Sequence, residues 1–120
     1  MTKALVVQKN HLNLELVLEI LEAQGFNADK AHDGEAAIRK IEKEVYDLIL
    51  MDVALPGMDG IEVTRIIKNM SCYKDVPVIA LTAFAMKGDR ERFLDSGFDD
   101  YIPKPIDVCE FMRKMETYKN

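Results

Sequence analysis

Four short apolar segments of this 120-residue chain each end beside a residue that could take part in chemistry. In chain order, these residues are Gln8 with Lys9, Asp52, Thr82 and Lys104. A carboxylate can attack phosphorus and form an acyl phosphate, while a hydroxyl and an ammonium group hydrogen-bond the new oxygens and offset their charge. Each of these residue types alone is more often part of a turn or a cap. Their shared position after apolar segments predicts a phosphoryl site.

These residues can meet only if the apolar segments are strands of one sheet. Short apolar runs indicate strands at residues 4 to 7, 26 to 31, 47 to 51, 76 to 81 and 99 to 102. Apolar residues at helical spacing lie between the strands, and we interpret them as core packing. These stripes are Leu14/Val17/Leu18/Leu21, Ile38/Ile41/Val45, Val63/Ile66/Ile67/Met70, Met86/Phe93/Leu94 and Val108/Phe111/Met112/Met115.

The predicted helices have matching boundary signals. Asp33, Asp59 and Asp107 stand where a side chain can cap the start of a helix. Gly25 and Gly97 stand where a helix would end in the left-handed conformation. Five strands that alternate with five helices imply right-handed crossovers and a parallel sheet covered on both faces. In such a doubly wound α/β domain, the reaction site lies beyond the carboxyl ends of the strands.

The composition fits one globular domain over residues 1–120. The chain has 48% hydrophobic and 31% charged residues, and its net charge of -5 argues against nucleic-acid or membrane binding. The apolar runs are too short to span a bilayer and no signal-like segment is present, so we expect a cytoplasmic protein.

The cysteines and histidines do not indicate a metal site. Cys72 and Cys109 are expected to be unpaired thiols. His11 and His32 are separated from each other and from any cysteine pattern, so we expect surface or capping roles for them.

Three segments carry a family resemblance. They are DLILMDVALPGMDGIEV (Asp47 to Val63), VPVIALTAF (Val76 to Phe84) and GFDDYIPKPI (Gly97 to Ile106). In order and spacing they resemble the signatures of the receiver domain of two-component response regulators, and the likeness extends from about Lys3 to Met115. The segments LTAFAMKGD and YIPKPI are most similar to stand-alone receivers and to the receivers of hybrid kinases. The resemblance implies a flavodoxin-like fold, with a five-stranded parallel sheet of order 2-1-3-4-5 and five helices.

The resemblance also implies roles for individual residues. Asp52 would be the phosphoacceptor, Thr82 the switch hydroxyl, Tyr101 the switch aromatic and Lys104 the lysine that contacts the phosphoryl group. The Lys104–Pro105 bond is often cis in the family. The phosphodonor would be a histidine kinase or a histidine phosphotransfer protein that docks near the first helix and the strand-end loops. The output would be a change in binding of a downstream protein to the surface of the fourth helix, fifth strand and fifth helix. The domain would not be an enzyme beyond phosphoryl transfer to itself.

The first strand departs from the family pattern. Receivers have two adjacent acids after this strand, which bind Mg²⁺ together with the phosphoacceptor and a backbone carbonyl two residues beyond it. Here these positions hold Gln8 and Lys9, so only Asp52 and the backbone of Ala54 remain as expected ligands. Two unit charges about 4 Å apart interact by roughly 4 kcal/mol at an effective dielectric near 20. We therefore expect the ammonium group to abolish ordinary magnesium binding.

Three consequences for Lys9 remain open. Its ammonium group could take the place of the metal and pair with Asp52, so that phosphoryl transfer proceeds slowly without metal. The same pair could instead lock Asp52 and leave a pseudo-receiver that binds partners without being phosphorylated. In the third alternative, Lys9 simply extends into water. In all three the two acids are missing from the site.

Ala54 and the segment after the first strand bear on function classes other than a receiver. Aspartyl-nucleophile hydrolases usually carry a second Asp as general acid two residues after the nucleophile, where this chain has Ala54. A flavodoxin-like cofactor binder would need a phosphate-binding loop after the first strand, and no glycine-rich segment follows it. By resemblance, the apolar residues Ala54 and Phe84 lie at the rim that controls access of water, which implies slow loss of any phosphate gained. The sequence thus favours a receiver over both alternatives.

Overall fold

The chain forms a five-stranded parallel sheet flanked by helices, seen in a computed structural model that describes residues 2–55, 57–82 and 89–119. The strands are β1 (Lys3–Val7), β2 (Asn27–Ala31), β3 (Leu48–Asp52), β4 (Val78–Thr82) and β5 (Asp100–Pro103). Every neighbouring pair is parallel and the order is β2-β1-β3-β4-β5, so the predicted topology is confirmed. The predicted strand positions agree to within two residues at each end.

Helices connect the strands. Four are α1 (His11–Ala23), α2 (Gly34–Lys43), α3 (Gly60–Lys68) and α5 (Val108–Tyr118). The helix expected between β4 and β5 is described over one shorter segment, α4 (Asp89–Asp95), and a single 3₁₀ turn at Ser71–Tyr73 precedes β4. Within the described ranges, no helix combines the length and the apolar character needed to cross a membrane.

The sheet separates two layers of buried side chains. Side chains alternate between the faces of a strand, so neighbouring residues enter different layers. Val6 and Leu50 lie in the layer that contains the buried residues of α1 and α5. Val7 and Met51 lie in the layer that contains the buried residues of α2 and α3. Because β1, β3 and β4 are covered on both faces, they read in the sequence as continuous apolar runs.

The helix boundaries follow the predicted signals. The side chains of Asp33, Asp59 and Asp107 each accept a hydrogen bond from the backbone N–H three residues on, as N-caps of α2, α3 and α5. Gly25 and Gly97 have φ angles of 94° and 107°, the left-handed region expected after α1 and α4. Both predictions are confirmed. These caps fix where each helix begins relative to the strand end that precedes it.

The interpretation of every helical stripe as core packing is wrong for several residues. Among the described side chains, the exposed members of the predicted stripes are Val45, Ile66, Leu94, Val108 and Met112. Each helix buries only the narrow face that contacts the sheet, so on α5 the buried residues are Phe111 and Met115, with Tyr118 partly buried beside them. Met86 and the side chain of Phe93 lie outside the described residues. Cys72 and Cys109 are free and exposed, which confirms the expectation of unpaired thiols.

The edge strand β2 is held by polar contacts because its sequence, NADKA, is largely polar. Asp29 accepts hydrogen bonds from Lys40 Nζ at 2.9 Å and from the buried Tyr46 hydroxyl at 2.8 Å. Burial alone would raise the pKa of Asp29, but the hydrogen bonds from Lys40, Tyr46 and the backbone of Lys30 outweigh it and lower the pKa. The network attaches β2 to α2 and to the segment before β3.

Candidate functional site

The four predicted strand ends meet at one edge of the sheet. We call Gln8, Lys9, Asp52, Thr82 and Lys104 the strand-end site. The register pairs Val7 of β1 with Met51 of β3, and Thr82 of β4 with Pro103 of β5. The residues of the strand-end site therefore lie at or just after the last paired positions of four adjacent strands.

Asp52 is the buried carboxylate of the strand-end site and is 5% exposed. Its Oδ2 accepts a hydrogen bond from Lys104 Nζ at 2.8 Å, and its Oδ1 accepts one from the backbone N–H of Ala54 at 3.1 Å. The backbone N–H of Lys104 donates to the carbonyl of Thr82 at 2.8 Å, and the Lys104–Pro105 bond is cis. The carboxylate is thus held with an ammonium group and a backbone donor beside its oxygens.

Lys9 does not pair with Asp52, so both hypotheses that required this ion pair are wrong on that point. Lys9 is exposed and has no hydrogen bond or ion pair within the described part of the chain. The cation on Asp52 is Lys104 instead. Gln8 is buried and Lys9, at the bend that follows it, is exposed. The exposed position of Lys9 agrees with the third alternative, extension into solvent.

Gln8 is fully buried with an unsatisfied side chain. Its exposed fraction is 0%, and neither Nε2 nor Oε1 has a hydrogen-bond partner in the described part of the protein. Its backbone N–H donates to the carbonyl of Ala31 at 3.1 Å, so the unpaired groups belong to the side-chain amide. A buried polar group without a partner costs about 1–3 kcal/mol. The sequence predicted the position of Gln8 but gave no sign that its amide would be buried and unpaired.

The family of the chain follows from a comparison with protein-family models. The model of the response regulator receiver domain matches residues 4–116. The chain belongs to this family. Receiver domains are signalling modules of two-component systems that interact with histidine kinases and with downstream partners, and are generally not enzymes. This assignment favours neither a phosphohydrolase nor a cofactor binder.

Known receivers resemble this receiver domain over nearly all of its length. The polar-differentiation response regulator DivK of Brucella ovis is 41% identical over 119 residues, which cover 98% of this chain and 97% of that protein. The solved receiver domain of the sensor histidine kinase PA1611 from Pseudomonas aeruginosa, with magnesium coordinated in its active-site cleft, has a TM-score of 0.88 and 38% identity, covering 98% and 96% of the two chains. The chemotaxis response regulator CheY4 of Vibrio cholerae has a TM-score of 0.94 at 25% identity and 99% coverage of both. The flavodoxin-like fold is thereby confirmed.

Thr82 and Tyr101 of this receiver lie on adjacent strands. Thr82 is buried, whereas Tyr101 is partly exposed. Lys114 of α5 donates to the carbonyl of Tyr101 at 3.0 Å and to Asp100 at 3.1 Å, and its Nζ lies 5.7 Å from the centre of the Tyr101 ring. The Tyr118 hydroxyl also donates to Asp100, and burial together with the Asp100 charge raises the pKa of Tyr118 to about 12. Lys114 and Tyr118 therefore join α5 to β5 next to Tyr101.

His11 and His32 are neighbours, which the sequence reasoning missed. Their ring centres lie 4.5 Å apart and both side chains are exposed. His32 directly follows β2, and His11 is the first residue of α1, which follows β1. The sequence feature that could have predicted this contact is that both histidines follow closely after strands that pair in parallel. In the described part of the receiver, no group of three or more His, Cys, Asp or Glu side chains is arranged to hold a metal ion.

An apolar surface lies beside Lys104. Leu12 and Leu16, one turn apart on α1, are 82% and 42% exposed. Leu16 also lines a cavity of about 190 Å³ together with Lys104 and Ile106.

Proposed function

We propose that this receiver accepts a phosphoryl group on Asp52 from a histidine kinase or a histidine phosphotransfer protein, and that phosphorylation changes the binding of a downstream protein. The observation that carries the proposal is the 2.8 Å contact between Lys104 Nζ and the buried Asp52 carboxylate. A fixed carboxylate with a cation beside it is suited to attack on phosphorus, because the cation offsets the charge that the transferred oxygens bring.

The transfer is a displacement at phosphorus. An Asp52 oxygen forms the new bond to phosphorus while the bond between phosphorus and the donor nitrogen breaks, and the donor imidazole takes up a proton. Lys104 and the N–H of Ala54 then lie next to the phosphorylated carboxyl group. Thr82 acts as the switch hydroxyl and Tyr101 as the switch aromatic. The rim residues Ala54 and Phe84 are both apolar and so give little help to an attacking water, which makes autodephosphorylation slow. Phe84 lies outside the described residues.

Magnesium does not fit the strand-end site. The donor set contains one carboxylate, Asp52, which already pairs with Lys104, and the neutral amide of Gln8. Asp52, Lys104 and Lys9 sum to a charge of about +1, whereas a hard divalent ion needs several oxygen ligands and net negative charge. The magnesium held by the PA1611 receiver domain belongs to that protein. Phosphoryl transfer to Asp52 therefore proceeds through this chain's own residues.

Two surfaces of the receiver bind its protein partners. The kinase or phosphotransfer protein docks on the exposed leucines of α1, Leu12 and Leu16, of which Leu16 borders the cavity beside Lys104. The downstream protein binds the surface of α4, β5 and α5, where Lys114 contacts Tyr101. Both partners are proteins, because the net charge of -5 disfavours nucleic acid and anionic membranes. The receiver comprises residues 1–120 and is most similar in its signatures to stand-alone receivers and the receivers of hybrid kinases.

Phosphorylation of Asp52 is tested by intact mass. After incubation with acetyl phosphate, the wild-type receiver is expected to gain one phosphoryl group both with magnesium and with a chelator, while Asp52→Asn gains none. The neutral amide retains the shape of the side chain but is a far poorer nucleophile. Phosphorylation of the Asn variant would place the acceptor elsewhere. No gain by the wild type, with acetyl phosphate or with a kinase, would contradict the phosphoacceptor function.

The double variant Gln8→Glu/Lys9→Asp tests the cause of the magnesium mismatch. It is expected to bind magnesium at least roughly a hundredfold more tightly than the wild type, since two favourable charge pairs of about 1.4 kcal/mol each suffice for this gain. Calorimetric titration with magnesium chloride measures the change. The variant Glu15→Gln/Lys30→Met is the control, because its residues pair at 3.6 Å on the exposed surface. Equal affinity of the wild type and the first variant would show that Gln8 and Lys9 do not decide metal binding.

A further inference from the structure

We propose that the buried amide of Gln8 donates a hydrogen bond to the phosphoryl oxygens on Asp52, so that it stabilises the transferred group together with Lys104 and without a divalent ion. The inference rests on the proposed phosphorylation of Asp52. It assigns Gln8 a catalytic role, because the amide would touch the transferred group.

The register of the sheet places the two side chains on the same face. Val6 and Leu50 lie in one buried layer, and two residues further on lie Gln8, the first residue after β1, and Asp52, the last residue of β3. The N–H of Gln8 still donates to the carbonyl of Ala31 at 3.1 Å, so the backbone hydrogen bonding between β1 and β2 continues to Gln8. Residues two apart on a strand share a face. Gln8 and Asp52 are therefore neighbours at the carboxyl ends of β1 and β3, and both are at least nine-tenths buried.

The unpaired amide indicates that the position is built for a ligand. Buried polar side-chain atoms almost always have a partner, and exceptions call for a functional explanation. At Gln8 both side-chain polar atoms are buried and neither has a partner in the described structure. Leucine or methionine would fill the same volume without unsatisfied groups. A long polar side chain beside Asp52 is explained if a group that arrives on Asp52 supplies its missing hydrogen bond.

The charges around Gln8 favour an anion over a cation as the ligand of its amide. Lys104 pairs with Asp52, and the exposed Lys9 follows Gln8 directly, so the nearby charges sum to about +1 before a ligand arrives. A phosphoryl group brings negative charge and oxygen acceptors. The amide nitrogen of Gln8 has two N–H donors to offer to these oxygens. A donor fixed in a buried site stabilises developing charge more strongly than water does, because it needs no reorganisation.

The chemical step balances without a metal or an added proton. With acetyl phosphate, an Asp52 oxygen forms a bond to phosphorus, and the bond between phosphorus and the acetate oxygen breaks. Acetate leaves with the electron pair. Gln8 donates a hydrogen bond to a phosphoryl oxygen throughout the step and neither gains nor loses a proton.

The test compares the rates of Asp52 phosphorylation by acetyl phosphate in the presence of a chelator, followed by intact mass. Gln8→Leu removes both polar atoms, and Gln8→Glu preserves the shape but replaces the donor with an anion. Both are expected to react roughly a hundredfold more slowly than the wild type, the usual effect of losing one oxyanion donor. Lys30→Met is the control at an exposed lysine outside the strand-end site, and its rate of phosphorylation is expected to equal that of the wild type. Thermal unfolding checks that each variant is folded. The melting temperature of Gln8→Leu is expected to exceed that of the wild type, because leucine has no unsatisfied polar atoms.

The outcomes separate this inference from the proposed function. If a folded Gln8→Leu variant reacts as fast as the wild type with the chelator present, the role of Gln8 is overturned while phosphorylation of Asp52 stands. If the wild type reacts only with magnesium, the inference is also overturned. If the wild type gains no phosphoryl group under any condition, the proposed function itself fails.

Discussion

Gly60→Ala is expected to destabilise the receiver by about 3 kcal/mol, among the larger effects of a single substitution. A Cβ atom at Gly60 would clash with the carbonyl oxygen of Asp52 and would lie 2.9 Å from the Cα of Val53. Both atoms belong to the backbone, so no rotamer change relieves the contact. The backbone N–H of Gly60 also donates to the carbonyl of Val53 at 3.0 Å, which holds the start of α3 against the end of β3.

Gly57→Ala is the control for Gly60→Ala. A Cβ at Gly57 meets no atom within 4 Å, but the φ angle there is 76°, in the left-handed region. Alanine at Gly57 is therefore expected to cost only about 1–2 kcal/mol of backbone strain. Urea unfolding measures both variants. Equal losses of stability would mean that the loop after Asp52 moves freely enough to accept a side chain at Gly60.

Gly60 also connects the fold to the chemistry. The contact that excludes a side chain there is with the carbonyl of Asp52, so relief of the clash would move the proposed phosphoacceptor. A displacement of about 1 Å in a reacting group can lower a rate by roughly a hundredfold. Gly60→Ala is thus expected to reduce phosphorylation even at temperatures where the variant remains folded.

Much of the fold could be predicted because its determinants are local. The central strands β1, β3 and β4 are buried on both faces and read as apolar runs. The acidic N-caps and the glycines after α1 and α4 act within one turn of chain, so the sequence marks them directly. The edge strand β2 gave a weaker signal because polar contacts, such as those of Asp29, replace apolar burial there.

The arrangement of side chains at the strand-end site was harder to predict because it depends on pairing between distant segments. Two lysines could have reached Asp52, and the choice of Lys104 follows from its backbone hydrogen bond to Thr82, which no local pattern encodes. The His11–His32 contact likewise requires the β1–β2 register. On α5, Met112 repeats at helical spacing yet stays exposed, because spacing alone does not tell how wide a face the sheet covers.

Lys104→Met is expected to destabilise the receiver by about 3 kcal/mol, because it leaves a buried carboxylate without its cation. The Asp52 side chain is 7% exposed, whereas that of Lys104 is 23% exposed. The two partners are therefore not equivalent. In the Asp52→Asn variant, Lys104 can turn toward water. This variant is therefore expected to change the free energy of unfolding by at most about 1 kcal/mol.

A double-mutant cycle measured by urea unfolding tests this asymmetry. Once Asp52 is Asn, replacement of Lys104 by Met should lower the stability by only about 1 kcal/mol instead of about 3, which gives a coupling energy of about 2 kcal/mol between the two positions. Lys30→Met is the surface control, since its partner Glu15 is more than half exposed and the pair contributes at most about 1 kcal/mol. Similar losses from Lys104→Met and Lys30→Met would contradict the buried ion pair. A loss confined to Lys104→Met would mean that the cation offered to the phosphoryl group also stabilises the unphosphorylated fold.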